Sequence, residues 1–401
     1  MKCNGRRIIR QVEVGHERLI EVQRFLCLHC GKSFTAFGGK RHRTFSVMFA
    51  HEAARRHVEG ESYRVIARAI YRQTLRKISP TSVQQMVLEV ARQCKTPIEM
   101  SVEFKPHWTG FLVVDEKKIP VKRTELWFYE AIDTSGDVVH WLPVAECSVS
   151  EAIRFLEQVD DLGYDCRGIT SDLATSLTLA IERVYAKKPH QYCIKHALAV
   201  LERILGYSRS QGMKRQVASR LRTSFERLPL RKGLYLVKAS REFVNQWRTT
   251  RPLSRKAREI AELRDHCQKI LCARTQREAL DLLTSLRRRH SSETLRKWRA
   301  IHFLERHWLR LMRHHSVKGL PRTNNMAETF NKQLKRRVKT IESFQHRQTA
   351  VSYMNLLVAY LRLKPYTDCR GKRKHLNGKS RLQAAGVNIC PRDWLKASVK
   401  F

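Results

Sequence analysis

The sequence contains no run of about 18 apolar residues and no apolar stretch typical of a signal peptide. These absences argue against a membrane-spanning or secreted protein, and they predict a soluble, intracellular one without a membrane partner. The cysteines are eleven in number, which is odd, and they follow no regular spacing. That pattern argues against a disulfide scaffold and indicates reduced thiols.

Acidic residues are scarce. The 401 residues include 37 Asp or Glu against 78 Lys or Arg, which gives a formal net charge of +41. So large an excess exceeds what solubility requires and predicts a polyanionic partner, with nucleic acid as the first candidate. Residues 101–172 depart from this trend with 14 acidic and seven basic residues, whereas residues 201–320 carry 10 acidic and 30 basic residues. Carboxylates that bind cations are therefore expected in the acidic segment.

Residues 1–43 read as short strands and turns that form a segment similar to a zinc ribbon. Cys27 and Cys30 flank a tight turn with the spacing of a zinc knuckle. A closed tetrahedral site needs four ligands, and upstream only Cys3 is a clear candidate, with His16 a weaker one. Three alternatives stay open: Cys3 and another residue complete a zinc site, the first knuckle has been lost, or the cysteines are simply reduced thiols in a small β core.

Residues 44–98 predict three helices, of which the last two suggest a helix-turn-helix. Ser79 and Pro80 supply an N-cap and a first-turn proline for the final helix. Its apolar residues recur at helical spacing, which favours a buried stripe on one side. The alternative is a plain helical hairpin, but the basic context favours DNA binding. The stripe comprises Val83, Met86, Val87 and Val90, and the outward residues predicted to contact DNA are Gln84, Gln85 and Arg92.

Residues 105–197 change to an α/β pattern. Three strands follow one another as a meander, and a helix, a strand, a helix and a strand come after them, which is the order of an RNase H-like sheet. The predicted elements are strands Phe111–Asp115, Glu125–Ile132 and Val138–Val144, helix Ser148–Leu162, strand Cys166–Asp172, helix Ser176–Tyr185 and strand His190–Ile194.

The remaining chain divides by composition. Residues 198–320 predict a basic, all-α insertion, in which Arg251–Arg258 and Arg287–Arg289 fit either phosphate contacts or solvated helix faces. Residues 321–362 predict the second part of the α/β core, with a polar turn that leads into a helix. Residues 363–401 predict a loosely ordered basic tail with a short terminal element.

Three carboxylates are placed to converge. Asp115 and Asp172 end two strands that are neighbours in an RNase H-like sheet, and Glu328 lies on the helix after the insertion. Phosphodiester cleavage and transfer need charge neutralised at two oxygens, which two metal ions about 4 Å apart provide, and Mg²⁺ requires oxygen ligands. Glu116 and Asp133 are weaker candidates, because alternation turns Glu116 to the other face and Asp133 belongs to a turn.

Four segments resemble bacterial and archaeal insertion-sequence transposases of the DDE type, and Mutator-like elements are more distant relatives. They are VVDEK around Asp115, GITSDLATSL around Asp172, HQYCIKHAL around Cys193 and His196, and TNNMAETFNKQLKRR around Glu328. The resemblance extends from the Cys27 knuckle to about residue 340. The Asn-Asn-x-x-Glu-x-x-Asn segment, which contains Glu328 and Asn331, is its most specific part.

The resemblance implies that Asp115, Asp172 and Glu328 hold two Mg²⁺ or Mn²⁺ ions and catalyse DNA cleavage and strand transfer. It implies double-stranded DNA as partner, both element ends and target, a homodimer or larger assembly, and a place in the cytoplasm on the nucleoid. Asn331, Lys335 and Arg336 would contact DNA.

The Cys-x-x-His pair Cys193 and His196 suggests either a second zinc site or structural packing, and the packing reading is the commoner one for a lone pair. Two other functions stay open for the whole chain: a non-catalytic DNA-binding protein derived from a transposase, and a nuclease or RNA-processing enzyme on the same fold.

Overall fold

A computed structural model describes residues 1–13, 16–36, 45–207, 255–288, 295–341, 344–389 and 393–400. Much of the predicted insertion, residues 208–254, lies outside the described residues, as do Arg289 and the first part of Arg251–Arg258. Contacts divide the chain into two units. The first comprises residues 1–110, 115–165 and 325–401, and the second comprises residues 111–114 and 166–324. Among the described residues, no helix is both long and apolar enough to cross a membrane.

The first unit begins with an antiparallel sheet of three strands, β1 Lys2–Glu13, β2 His16–Leu26 and β3 Ser33–Ala36. The pairing of Glu13 with His16 closes the hairpin at one end, and Lys2 pairs with Leu26 at the other. His16 and Cys27 are thus at opposite ends of β2, roughly 35 Å apart at the usual rise per residue. His16 is therefore excluded as a ligand that completes a site with Cys27.

Three helices follow, as predicted: α1 Val47–Glu59, α2 Tyr63–Thr74 and α3 Pro80–Gln93. The Ser79 side chain accepts a hydrogen bond from the Ser82 N–H, and Pro80 occupies the first turn, so the predicted start of α3 is confirmed. Val83, Val87 and Val90 are buried where α3 packs against α1, α2 and a later helix, α14 (Arg347–Leu363). A further short helix, α4 Pro97–Phe104, ends this region.

The central sheet has the predicted element order. Its elements are β4 Phe111–Val121, β5 Thr124–Asp133, β6 Val138–Val144, α5 Val149–Asp161, β7 Gly168–Ser171, α6 Thr175–Val184 and β8 His190–Tyr192. The strand order is β6-β5-β4-β7-β8. In the first unit β5 and β6 pair antiparallel, and in the second unit β7 pairs parallel with both β8 and Phe111–Val113.

One strand differs from the prediction. Asp115 was expected at the end of its strand, but β4 continues to Val121. The apolar run stops at Val114, whereas pairing with β5 carries the strand further, and its later residues alternate between buried and exposed. Asp115 therefore lies within a strand, just beyond the last residue that pairs with β7, Val113.

The described part of the predicted insertion is helical. It comprises α7 Ile194–Leu205, α8 Arg255–Cys272, α9 Gln276–Arg288, α10 Leu295–Arg306 and the single turns α11 Trp308–Leu311 and α12 Arg313–Ser316. These helices share one apolar core, in which Leu201, Cys267 and Leu304 are fully buried.

The first unit ends with α13 Asn325–Val338, a 3-10 helix at Lys339–Ile341, α14 Arg347–Leu363, a 3-10 helix at Gly371–Leu376, α15 Arg381–Ala384 and α16 Trp394–Ser398. The prediction of a loosely ordered tail is wrong for its described part. Leu382 and Leu395 are fully buried, and the Lys95 N–H donates to Ser398 O at 2.8 Å. Apolar residues spaced among the basic ones hold this segment in the core.

Candidate active site

Asp115 and Glu130 lie on neighbouring strands of the first unit, β4 and β5, and share one partner. The Asn331 side-chain amide, on α13, donates to Glu130 Oε1 at 2.6 Å and to Asp115 Oδ2 at 3.4 Å. Asn331 is 216 residues from Asp115 in sequence. This contact between α13 and the sheet therefore brings two carboxylates together.

Glu130 is the unusual member of the pair. Its side chain lies in the otherwise apolar strand Leu126–Ile132 and is 3% exposed. Burial, and then the charge of Asp115, raises the pKa of Glu130 well above its usual range, and Lys117 offsets only part of this effect. A buried carboxylate so placed is costly in its ionised form unless a positive charge compensates for it.

The oxygen atoms around this pair suit a hard cation. Asn331 Oδ1 is buried and accepts no hydrogen bond from any residue that the structure describes. Carboxylate and amide oxygens are the ligands that Mg²⁺ and Mn²⁺ prefer. Within the described part of the chain, no three His, Cys, Asp or Glu side chains lie close enough together to hold a metal ion. The oxygen groups that the structure brings together here are thus two carboxylates and one amide.

Glu328 lies three residues before Asn331 on α13, so both side chains occupy one face of the helix. Glu328 is half-buried in the first turn. Lys335 and Arg336 are exposed in the last turn, where a phosphate can reach them. Asn331 instead is buried against carboxylates, so in this state its amide is not presented to DNA. The structure thus assigns it to the site rather than to the surface.

Asp172 belongs to the second unit and directly follows β7, where the sequence places it. Its Oδ1 accepts a hydrogen bond from the Ala174 N–H at 2.9 Å, at the start of α6. Thr170, two residues earlier, is paired with Val113 of β4. Asp172 is half-buried, and its capping contact occupies one of its two oxygens.

Cys193 has a structural role in the second unit. Its Sγ is 3.1 Å from Asn324 Oδ1, and the Asn324 N–H donates to Sγ at 3.4 Å. Ile194 N also donates to Arg322 O at 3.1 Å. These contacts attach the polar turn before α13 to the end of β8. The packing interpretation of Cys193 fits this geometry, and His196 lies half-buried one turn further along α7.

The other predicted residues lie at the surface of the first unit. Cys3 and Cys30 are exposed, and Cys27 is partly exposed. Backbone N–H groups of Cys30 and His29 lower the pKa of the Cys27 thiol, which favours the thiolate that binds metals. On α3, Gln85 and Arg92 are exposed and Gln84 is half-buried. Zinc binding and base recognition stay predictions.

Glu130 was missed because its neighbours are apolar. The segment Glu125-Leu-Trp-Phe-Tyr-Glu-Ala-Ile132 reads as a buried strand, whereas the carboxylates predicted to bind metal lie near strand ends or on a helix. A signal was nevertheless present, since a glutamate inside a buried strand almost always has a partner or a function. Its partner, Asn331, could not be read from the sequence because 201 residues separate the two.

No family model matches the chain, and no curated protein matches it. Solved structures that are similar to it include the Drosophila P element transposase strand transfer complex, at 10% sequence identity and a TM-score of 0.38 over 80% of this chain and 93% of that one. Another is a simian T-cell lymphotropic virus intasome in complex with PP2A regulatory subunit B56 gamma, at 13% identity and a TM-score of 0.18 over 51% and 70%. Both scores are low, so function is inferred from the residues of this chain.

Proposed function

We propose that the chain is a DDE-type transposase, a metal-dependent enzyme that cleaves DNA at the ends of a mobile element and joins it to target DNA. The observation that carries the proposal is the pair of the half-buried Asp115 and the buried Glu130, which share the Asn331 amide in a chain of net charge +41. Strong positive charge attracts a polyanion. A cluster of carboxylates kept inside so basic a chain is the feature expected of a site that binds a cation.

Asp115, Glu328 and Asp172 are proposed as the metal ligands. Asn331 and Glu130 are proposed to support Asp115 without binding the metal themselves. When bound, Mg²⁺ or Mn²⁺ ions neutralise charge on the attacking and leaving oxygens of a phosphodiester. Asn331 fixes the orientation of Asp115 by donating to its Oδ2. Asp172 directly follows β7 and is included because the resemblance makes it the second carboxylate of the triad.

DNA binding is proposed for the exposed residues of α3, Gln85 and Arg92, and for Lys335 and Arg336 on α13. The helix-turn-helix and the zinc knuckle would recognise element ends, and the basic helices of the second unit would hold the DNA backbone. Because two ends must be joined in one reaction, a homodimer or larger assembly is expected. The RNase H-like assignment of the central sheet belongs to the same proposal.

The deciding experiment incubates purified protein and the Asp115→Asn variant with labelled duplexes that carry the sequences flanking its gene, in Mg²⁺ or Mn²⁺. Glu125→Gln is the matched control, because Glu125 is an exposed carboxylate on β5 whose partner is Lys118. We expect metal-dependent nicking by the wild-type and control proteins and none by Asp115→Asn, while all three bind DNA equally.

A second candidate function is non-catalytic binding to the same DNA, which the surplus of exposed cations also favours. Equal DNA binding without nicking in all three proteins would refute the catalytic proposal and leave this candidate. Its binding should still weaken steeply as salt rises, because phosphate contacts release counterions.

A further inference from the structure

A cavity of about 400 Å³ lies within the first unit, and neither Asp115 nor Glu130 lines it. It is enclosed by α13, the end of α14 and the segment that follows, which the sequence had predicted to be loosely ordered. Its volume falls within the range of small-ligand sites, about 300–1,000 Å³. The charged side chains that line it are Arg336, Arg337, Lys364, Arg373, Arg381 and one carboxylate, Asp368.

Arg381 sits at the inner wall of the cavity and is only 5% exposed. Its guanidinium donates to Gly136 O at 2.7 Å, Gln333 Oε1 at 2.9 Å and the Tyr366 hydroxyl at 3.1 Å. All three acceptors are neutral. Burial lowers the pKa of Arg381, and Tyr366 and then Asp137 offset this only in part. A buried cation with neutral partners is costly and is stabilised by an anion.

Gly136 allows this close approach. Its φ is +100°, and a Cβ atom there would lie 2.7 Å from the Tyr366 hydroxyl oxygen. Tyr366 therefore packs directly on the turn between β5 and β6, and its ring lies 5.3 Å from the Arg381 guanidinium. Arg381 is thus held in place by the backbone of that turn and by an aromatic ring, which preorganises its charge.

Three further cations at the mouth are open to solvent. Arg336, Lys364 and Arg373 are exposed, and no carboxylate in the described part of the chain forms an ion pair with them. The Arg373 guanidinium lies 5.7 Å from the Tyr366 ring centre, and Lys364 Nζ lies 5.4 Å from that of Tyr360. These cation–π contacts hold the charged groups of Lys364 and Arg373 next to the cavity, so that they do not extend into the solvent. Cations on an ordinary solvated surface would not line the same cavity as a buried arginine, as these three do with Arg381.

We propose that this cavity is a phosphate-binding site, in which Arg381 and Arg373 bind the phosphate oxygens and Arg336 and Lys364 complete the charge around it. The choice of a DNA backbone phosphate as the first source rests on the proposed function. A free phosphate or pyrophosphate offers the same chemistry and is the second source. Neither source requires metal ions or catalysis.

The test compares wild-type protein with Arg373→Gln and with Lys122→Gln, which removes an exposed cation outside the cavity. Titration with inorganic pyrophosphate, without divalent metal, is followed by thermal melting and calorimetry. We expect pyrophosphate to raise the melting temperature of the wild-type and Lys122→Gln proteins and to have no effect on Arg373→Gln. Melting of each protein alone checks that the variants fold.

A parallel arm measures affinity for duplex DNA against salt concentration. If the phosphate comes from DNA, Arg373→Gln should lower the slope of log K against log salt by about one, and pyrophosphate should compete with DNA. Pyrophosphate binding without any effect on DNA would identify a free phosphate as the source. No pyrophosphate binding and an unchanged DNA slope would overturn the inference, whether or not the protein nicks DNA. Conversely, loss of nicking activity alone would leave it standing.

Discussion

Two pairs of carboxylates in the first unit, Asp133 with Asp137 and Asp115 with Glu130, have different surroundings. Asp133 and Asp137, around the turn between β5 and β6, are 0% exposed and surrounded by donors. Asp133 accepts hydrogen bonds from Thr109, Tyr164 and the Ser135 N–H, and Asp137 accepts two from Arg362, at 2.7 Å each, and one from Trp108. Asp115 and Glu130 both accept a hydrogen bond from the Asn331 amide.

The contrast shows that burial alone does not mark a functional carboxylate. For Asp137 the protein itself supplies donors and a cationic partner, Arg362. Through Arg362, the carboxylate connects the turn before β6 to α14 and α4, and it needs no bound ligand. Glu130 has the neutral Asn331 amide as a donor, and Lys117 offsets the effect of burial only in part, so a bound cation would supply further positive charge. The following predictions test whether the two pairs differ in this way.

The largest expected effect is on the satisfied pair. Asp137→Asn would leave Arg362, a guanidinium 0% exposed, without its counter-charge. We expect a loss of about 3–5 kcal/mol in the free energy of unfolding, measured by urea denaturation. Glu130→Gln, a change of the same kind on the other pair, should leave the stability equal or raise it. Equal losses in both variants would contradict the distinction.

Activity, unlike stability, should depend more on Asp115 and Glu130 than on Asp133 and Asp137. Asp115→Asn and Glu130→Gln should lower metal-dependent nicking by about a hundredfold or more, because they alter the proposed site, and Asn331→Ala by about 10–100-fold. Single-turnover nicking assays at saturating DNA measure this. Glu125→Gln should retain full activity, and full activity in Glu130→Gln would remove Glu130 from the proposed site.

Metal should stabilise the pair Asp115 and Glu130 and not the pair Asp133 and Asp137. With Mn²⁺ at about 100 times its dissociation constant, the wild-type protein should gain about 2.7 kcal/mol, seen as a rise in melting temperature. The gain should disappear in the double variant Asp115→Asn, Glu130→Gln and persist in Glu125→Gln. A gain that survives in the double variant would indicate that Mn²⁺ binds elsewhere.

The smallest expected effect is a change of stability with pH. It distinguishes the contribution of a buried histidine of the same sheet, His140, from that of the carboxylates. Burial lowers the pKa of His140 to about 4, despite its hydrogen bond to Gln158. Because the folded state resists protonation, stability is full above pH 6.5 and falls as the pH drops from 6.5 towards 4. At pH 5.5 the expected loss is about 1 kcal/mol. Replacing His140 with Gln should abolish that part of the urea-midpoint shift, and an unchanged shift would assign it to other groups.

Much of the fold was predictable because local signals agree with the tertiary structure. The Ser79-Pro80 pair begins α3 where expected, and the apolar runs gave the strands of the central sheet in the right order. Asp172 was placed correctly because β7 is short and bounded by polar residues. Asp115 was not, because pairing with β5 extends β4 beyond its apolar run.

The sequence by itself determined the charge of the chain, the element order and the position of the Asn-rich segment that begins α13, because composition and periodicity are local properties. Only the tertiary structure decided the rest. Glu130 meets Asn331 across 201 residues, Arg362 meets Asp137 across 225, and Arg381 reaches Gly136 across 245. Such contacts depend on how distant elements pack, and a buried charge acquires its role from the neighbours that packing supplies.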